Sequence, residues 1–120
     1  MLFKRGDVVL VPFPFTEKRV SQKRPAVVVS GDGYNAAFPD IIVALVTSRT
    51  KIPPRIGDHH VQSWQSAGLV KPSLVRARLS TLHTSIVIRQ LGKMSAADMT
   101  GVGEGLRFAL QLGESSEKHA

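Results

Sequence analysis

Arginine and hydroxyl side chains stand at points of this sequence where extended apolar segments give way to polar ones. Arg24 precedes one apolar run, and Thr47 and Ser48 close another. Further along, Arg76 and Arg78 are two residues apart, so in a strand they would share a face. Each residue alone is typical of a solvated surface. Together they offer the guanidinium forks and hydroxyl donors that recognise and polarise a phosphodiester.

Several other kinds of catalytic chemistry are excluded by what the sequence lacks. It has no cysteine, no HExxH or GxSxG motif, and no nearby carboxylate pair placed for acid–base work. His59, His60 and His83 have no other donor at metal-ligand spacing, so we expect no metal site and no cofactor. We interpret His59 and His60 as structural or incidental. One of them should face solvent, because side chains alternate along a strand.

The charge of the chain is unevenly distributed. The formal net charge is +7, and the first 94 residues carry 14 Lys and Arg against five Asp and Glu. The last 26 residues are mildly acidic. A basic body of this kind suits a partner whose charge lies along a phosphate backbone, although the same charge could serve solubility alone.

Neither a membrane span nor a signal peptide is expected. The longest apolar run, residues 8–15, contains two prolines and is far shorter than the roughly 18–20 residues of a membrane span. The first residues lack the apolar segment of a signal peptide. Together with the absence of cysteine, this predicts a cytoplasmic protein without a membrane partner.

Apolar β-branched runs predict the strands that must position the candidate residues. Long strands are predicted at residues 7–13, 24–30 and 40–48, and shorter ones at 58–62, 73–77 and 80–82. Short strands at this spacing are typical of a small closed or half-closed barrel. Residues 31–33 predict a turn, and the basic connections at 16–23 and 49–57 should be exposed.

The hydrophobic period changes near the C-terminus. Ser95 followed by Asp98 resembles a capping box and predicts the start of a helix. The apolar face of that helix would carry Met99, Val102, Leu106, Ala109 and Leu110. The helix should end near residues 112–113, so residues 1–113 would form a single domain and residues 114–120 a frayed tail.

Three glycines, at positions 101, 103 and 105, interrupt the predicted helix. A phosphate-binding loop would need a preceding strand and a following lysine, and neither is present. Gly101 and Gly105 share a helical face. We therefore interpret them as positions where the helix backbone comes close to the sheet.

Five segments resemble, in order and spacing, the MazF/PemK family of toxin endoribonucleases. They are GDVV at 6–9, KRPAVVVS at 23–30, VALVTS at 43–48, PSLVR at 72–76 and IRQLGKMS at 88–95, followed by the helix. The resemblance covers residues 4–112. It implies a mainly β, small α+β domain, an SH3-like β-barrel with a C-terminal helix. It also implies a homodimer that cleaves single-stranded RNA without metal as the toxin of a toxin–antitoxin system.

The resemblance also implies roles for single residues. In such families the Arg before Pro-Ala and the Thr closing the third strand form the catalytic pair, which here are Arg24 and Thr47, with Ser48 adjacent. Some members also use an Arg-x-Asp pair on a later strand. Arg76 matches its Arg, whereas Arg78 stands where the Asp would be expected. The residues expected to bind RNA are Lys18, Arg19, Lys23, Arg49, Lys51, Arg55, Arg76 and Arg78.

A mechanism follows from RNA chemistry, because the 2′-OH is an internal nucleophile close to its phosphate. Arg24 would hold the non-bridging oxygens as negative charge builds, and Thr47 or Ser48 would add a hydrogen bond. The products would be a 2′,3′-cyclic phosphate and a 5′-OH. His60 and water are the candidate proton carriers.

The hypothesis includes two protein partners, an antitoxin and a second copy of the chain, and it leaves two other functions open. An antitoxin's acidic, disordered tail should fold into the RNA groove and exclude RNA. Val43, Leu45 and the helix face exceed what the core plainly needs, which favours a dimer. Two alternatives stay open: a non-catalytic nucleic-acid-binding barrel, and a protein-targeting toxin on the same fold.

Overall fold

The computed structural model describes residues 2–13, 22–48 and 53–113. These residues form, in order, β1 (Asp7–Phe13), β2 (Gln22–Val28), α1 (Asp32–Ala37), β3 (Asp40–Thr47), β4 (His59–His60), β5 (Leu74–His83), a 3₁₀ turn (Thr84–Ile86), β6 (Arg89–Lys93) and α2 (Ala96–Leu110). The six strands described form one antiparallel sheet in the order β4-β5-β3-β2-β1-β6. The sheet curls into a half-barrel, which confirms the predicted fold class.

The structure corrects several predicted boundaries. Strand β2 begins and ends two residues earlier than predicted. The segments predicted as two strands, 73–77 and 80–82, belong to the single strand β5. The sequence does not reveal this continuity, because β5 contains an irregularity. Ala44 and Leu45 of β3 pair with Leu79 and Arg76, so Ala77 and Arg78 between them have no partner residue in the register.

Other elements were missed or overextended for local reasons. Strand β4 has two residues rather than the five predicted at 58–62, because the N–H groups of Gln62 and Ser63 donate to a side chain instead of a strand. Residues 31–33 open the short helix α1 rather than a simple turn. Strand β6 was not predicted as a strand, because its sequence RQLGK lacks the β-branched residues that favour one. The predicted tail, residues 114–120, lies outside the described residues.

Two apolar clusters stabilise the domain. One, rich in valine, includes Val102 and Leu106 of α2 and residues from the 61–69 segment. The other includes Phe3, Phe13 and residues of the four strands β1, β2, β3 and β5. Val43 and Leu45 belong to this second cluster and are 0% and 6% exposed. The prediction that they are surplus to the core is therefore wrong.

Helix α2 starts as predicted and packs through only part of its predicted face. Ser95 Oγ accepts a hydrogen bond from the Asp98 N–H at 3.0 Å, which is an N-cap. Val102 and Leu106 are buried, whereas Leu110 is half exposed and Ala109 is exposed. Helices of the described residues are too short to span a bilayer.

The glycines of α2 allow the close approach that the sequence predicts. A Cβ on Gly101 would lie 2.1 Å from His59 Nδ1, and one on Gly105 would lie 2.1 Å from the Gly57 carbonyl oxygen. No larger side chain fits at either position without displacing backbone or a packed ring. The helix therefore rests directly on β4 and on the residues before it.

Asp98 joins the start of α2 to the segment after β4. Its side chain is fully buried and accepts hydrogen bonds from His59 Nε2 (2.8 Å), the Gln62 N–H (2.8 Å), the Ser63 N–H (3.0 Å) and Ser95 Oγ (3.1 Å). Burial acts to raise the pKa of this carboxyl, but the four donors outweigh it and hold the pKa below its usual range. The folded protein therefore favours the ionised form of the Asp98 carboxyl.

Replacing Asp98 by Asn should lower the free energy of unfolding at pH 7 by about 1–3 kcal/mol, because an amide leaves some of the four donors unsatisfied. A carboxyl with a lowered folded-state pKa stabilises the fold above its unfolded pKa, and this stabilisation is lost as the pH falls through the folded pKa. Urea unfolding from pH 7 down to about 2 should therefore show a smaller acid-induced loss in the variant.

The matched control is Asp32→Asn, which alters an exposed carboxylate that accepts the Arg5 N–H. This variant should lose less free energy of unfolding at pH 7 than Asp98→Asn, because its carboxylate is exposed and its donor can bond to water instead. Equal acid-induced losses for wild type and Asp98→Asn would contradict the assigned role of Asp98.

Candidate active site

The two residues predicted to be catalytic lie toward the same end of two neighbouring strands. Ala26 of β2 pairs with Leu45 of β3 in an antiparallel register. Arg24 and Thr47 each lie two residues beyond this pair. The fold therefore brings a cation and a hydroxyl that are far apart in sequence to one end of the β2–β3 pair.

A groove of about 320 Å³ opens beside these strand ends. It combines side chains from β2, the end of β3 and the segment before β5. Its lining residues are Gln22, Lys23, Arg24, Pro25, Val46, Ser48, Leu69, Val70, Lys71 and Ser73. Three of these are basic and none is acidic, so the groove suits an anionic ligand.

The two candidate hydroxyls differ in exposure. Thr47 is 7% exposed and is not among the lining residues of the groove. Ser48 is exposed and lines the groove. Arg24 is half-buried, and its guanidinium donates to Gln22 Oε1 at 3.1 Å. Arg24 and Ser48 are therefore the predicted catalytic residues that reach the groove directly.

Arg76 is engaged in an ion pair away from the groove. Its Nε and Nη2 donate to the two carboxylate oxygens of Asp58 at 2.9 and 2.7 Å, and both side chains are largely buried. The Arg76 hydrogen bonds hold the pKa of Asp58 below its usual range against the opposing effect of burial, and the same pairing raises the pKa of Arg76. Asp58 also accepts the Arg55 N–H at 2.7 Å, which fixes the turn before β4.

The remaining predicted residues do not line the groove or are not described. The irregularity in β5 interrupts the alternation by which Arg76 and Arg78 were predicted to share a face. Arg55 and His60 are exposed and contribute nothing to the groove lining. Four predicted RNA-binding residues lie outside the described residues: Lys18, Arg19, Arg49 and Lys51.

Sequence reasoning missed the wall of the groove formed by Leu69, Val70, Lys71 and Ser73. No regular element or motif marks residues 69–71, so their place beside β2 follows only from the folded chain. The nearest available signal was Lys71, a cation directly before the PSLVR motif. That signal did not distinguish Lys71 from any other surface lysine.

Comparison with curated proteins finds relatives along most of the chain. An endoribonuclease MazF2 of Mycobacterium bovis is 26% identical over 115 residues, covering 93% of this chain and all of the relative. An endoribonuclease MazF6 of Mycobacterium tuberculosis matches with the same identity and coverage. The similarity therefore includes both the barrel and α2.

Solved structures show the same fold. MazF of Deinococcus radiodurans superposes with a TM-score of 0.73 at 21% identity, covering 93% of this chain and 99% of that one. A mycobacterial endoribonuclease in complex with its cognate antitoxin gives a TM-score of 0.71 at 17% identity, covering 94% and 97%. The family model for the PemK-like, MazF-like toxin of type II toxin–antitoxin systems matches residues 4–110. With the fold and most of its length matched, this chain belongs to the PemK-like, MazF-like toxin family.

Proposed function

We propose that this chain is an endoribonuclease toxin that cleaves single-stranded RNA without a metal ion. The observation that carries the proposal is the basic groove at the end of the β2–β3 pair, which is lined by Arg24 and by Ser48, the residue directly after Thr47 at the end of β3. Family membership and similarity to named endoribonucleases support the same activity.

The chemistry needs little beyond charge stabilisation. RNA supplies the 2′-OH, which attacks the adjacent phosphorus and expels the 5′-oxygen of the next nucleotide. Negative charge builds on the non-bridging oxygens, and the Arg24 guanidinium stabilises it. Ser48 or Thr47 donates a further hydrogen bond to these oxygens. Arginine holds its protons too tightly to act as a proton carrier, so the role of Arg24 is electrostatic. The products are a 2′,3′-cyclic phosphate and a 5′-OH.

A water molecule is the favoured acceptor of the 2′-OH proton. His60, the other candidate, is an exposed residue of β4 and does not line the groove. A general base must come within hydrogen-bond reach of the proton that it removes, directly or through one water. The position of His60 therefore argues against direct proton transfer to its ring.

Phosphate binding is assigned first to Lys23 and Lys71, which both line the groove. Lys18, Arg19, Arg49 and Lys51, which lie outside the described residues, and Arg55 keep their proposed RNA-binding role. Arg76 forms the ion pair with Asp58, so its proposed role is to stabilise the fold. Arg78 keeps its proposed RNA-binding role. Such contacts hold the backbone of the strand without reading its sequence.

The partner that restrains the toxin is proposed to be an antitoxin with an acidic, disordered tail. One structural neighbour is an endoribonuclease in complex with its cognate antitoxin, and another is MazE-MazF from Deinococcus radiodurans. A basic groove of this kind favours an acidic segment that folds as it binds and blocks RNA. The substrate class places the proposed activity in the cytoplasm.

The purified chain should cleave a long single-stranded RNA in the presence of EDTA, because the nucleophile comes from the substrate and the stabilising charge from arginine. Mass spectrometry of the fragments should find 2′,3′-cyclic phosphate and 5′-OH ends. A requirement for Mg²⁺, or 3′-OH ends, would contradict the mechanism. Binding without cleavage would favour the non-catalytic alternative.

Replacing Arg24 by Ala should slow single-turnover cleavage by about 10²–10³, the usual effect of removing a preorganised oxyanion donor. Thr47→Ala should lose less, because the Ser48 hydroxyl lines the groove and can substitute for it. The control is Arg89→Ala, which removes an exposed arginine that does not line this groove. Normal cleavage by Arg24→Ala, or a large loss of melting temperature, would overturn the assignment.

The homodimer is proposed to form at a second, apolar groove of about 440 Å³ between α2 and the sheet. Its lining includes Leu79 and Leu110, which are 37% and 50% exposed, and Leu112, which is 63% exposed. Phe108 on the same helix is 60% exposed. Exposed apolar side chains that cluster in this way are the kind of surface that a second copy can cover.

Light scattering should give twice the chain mass for the wild type at micromolar concentration. Leu110→Asp should give the monomer mass, because it places a charge within the apolar groove. The control Ile86→Asp changes a 40% exposed residue outside this groove and should stay dimeric. A monomeric wild type would exclude the proposed dimer.

A further inference from the structure

The segment between β4 and β5 forms a closed loop whose ends meet. The Val61 N–H donates to the Ser73 carbonyl at 2.9 Å, joining the two ends. Within the loop, the Ala67 N–H donates to Ser63 O at 3.2 Å and the Leu69 N–H to Trp64 O at 3.0 Å. The backbone therefore has a defined path although it contains no regular element.

The same loop is attached to the rest of the protein on two sides. Asp98 accepts the N–H groups of Gln62 and Ser63, which ties the loop to α2. At the other side, a Cβ on Gly68 would lie 2.0 Å from the Leu91 carbonyl oxygen, so the loop backbone packs directly against β6. Gly68 has φ of +83°, a conformation that a residue with a side chain rarely adopts.

Val70 follows this anchored position and is 87% exposed, although its neighbour Leu69 is 7% exposed and belongs to the core. The Val70 side chain lines the groove that contains Arg24, Lys23 and Ser48. An apolar side chain held in water by a fixed backbone gains nothing for folding. Its position instead suits a ligand group that is itself flat and apolar.

We propose that Val70 is a specificity-determining residue that contacts the face of a nucleobase next to the scissile phosphate. The inference rests on the proposed RNA cleavage. Unpaired bases of single-stranded RNA are splayed out and pack against protein side chains, while the cations hold the phosphates. The groove provides both kinds of contact, with Lys23, Arg24 and Lys71 beside Val70.

The experiment compares cleavage-site profiles of wild type, Val70→Ala and Val70→Thr on a randomised single-stranded RNA library. Val70→Ala removes two methyl groups, and Val70→Thr keeps the shape but replaces one methyl group by a hydroxyl. At one position beside the cut, the preference for one base over the others should change roughly five- to tenfold. The salt dependence of RNA binding should stay unchanged, because no cation is removed.

The matched control is Ile88→Ala, which truncates a 45% exposed apolar residue outside this groove and should keep the wild-type profile. Unchanged profiles for both Val70 variants, with normal wild-type cleavage, would overturn the inference. If the wild type fails to cleave any RNA, the proposed function fails instead. Binding of six-nucleotide rA, rC, rG and rU then decides the role of Val70, since base preference must still change in Val70→Ala if the contact exists.

Discussion

The buried carboxylate of Asp98 is the interaction on which the arrangement of this domain depends. A buried charge is costly unless donors surround it, and here two backbone N–H groups, an imidazole and a hydroxyl do so. Those donors come from the N-cap of α2 and from residues 59–63. One side chain thus fixes where the helix lies and where the loop to β5 begins. Because that loop forms a wall of the groove, the shape of the candidate site depends on a residue that never touches a ligand.

Three successive residues before the loop each contact a different part of the fold. Gly57 lies against Gly105 of α2, Asp58 pairs with Arg76 of β5, and His59 bonds to Asp98. Strand β4 has only two residues, so ladder hydrogen bonds alone could not hold it. The ion pair and the close helix contact supply that attachment. They explain why an arginine expected to bind RNA instead serves the structure.

Features that depend on neighbouring residues could be predicted from the sequence. The β-branched runs predicted β1 and β3, and Ser95 with Asp98 predicted the start of α2. The same Asp98 could be recognised only as part of a helix cap, because three of its donors come from residues 35 to 39 positions away. Arg24 and Thr47 were predicted from the ends of apolar runs and from family motifs, both of which are contiguous in sequence. Val70 was not found, since neither its exposure nor its neighbours follow from the residues beside it in sequence.

The site separates two tasks that a ribonuclease toxin must perform. In the proposal, charge stabilisation belongs to the strand ends, where Arg24 and Ser48 line one groove. Base recognition belongs to a loop that carries an exposed apolar side chain and is anchored at Asp98 and Gly68. The packed sheet fixes the backbone at the strand ends, whereas Val70 is exposed and its side chain can change with little cost in folding. Under this proposal one catalytic frame would serve different RNA sequences, because the residue that selects the base lies outside the core that positions the arginine.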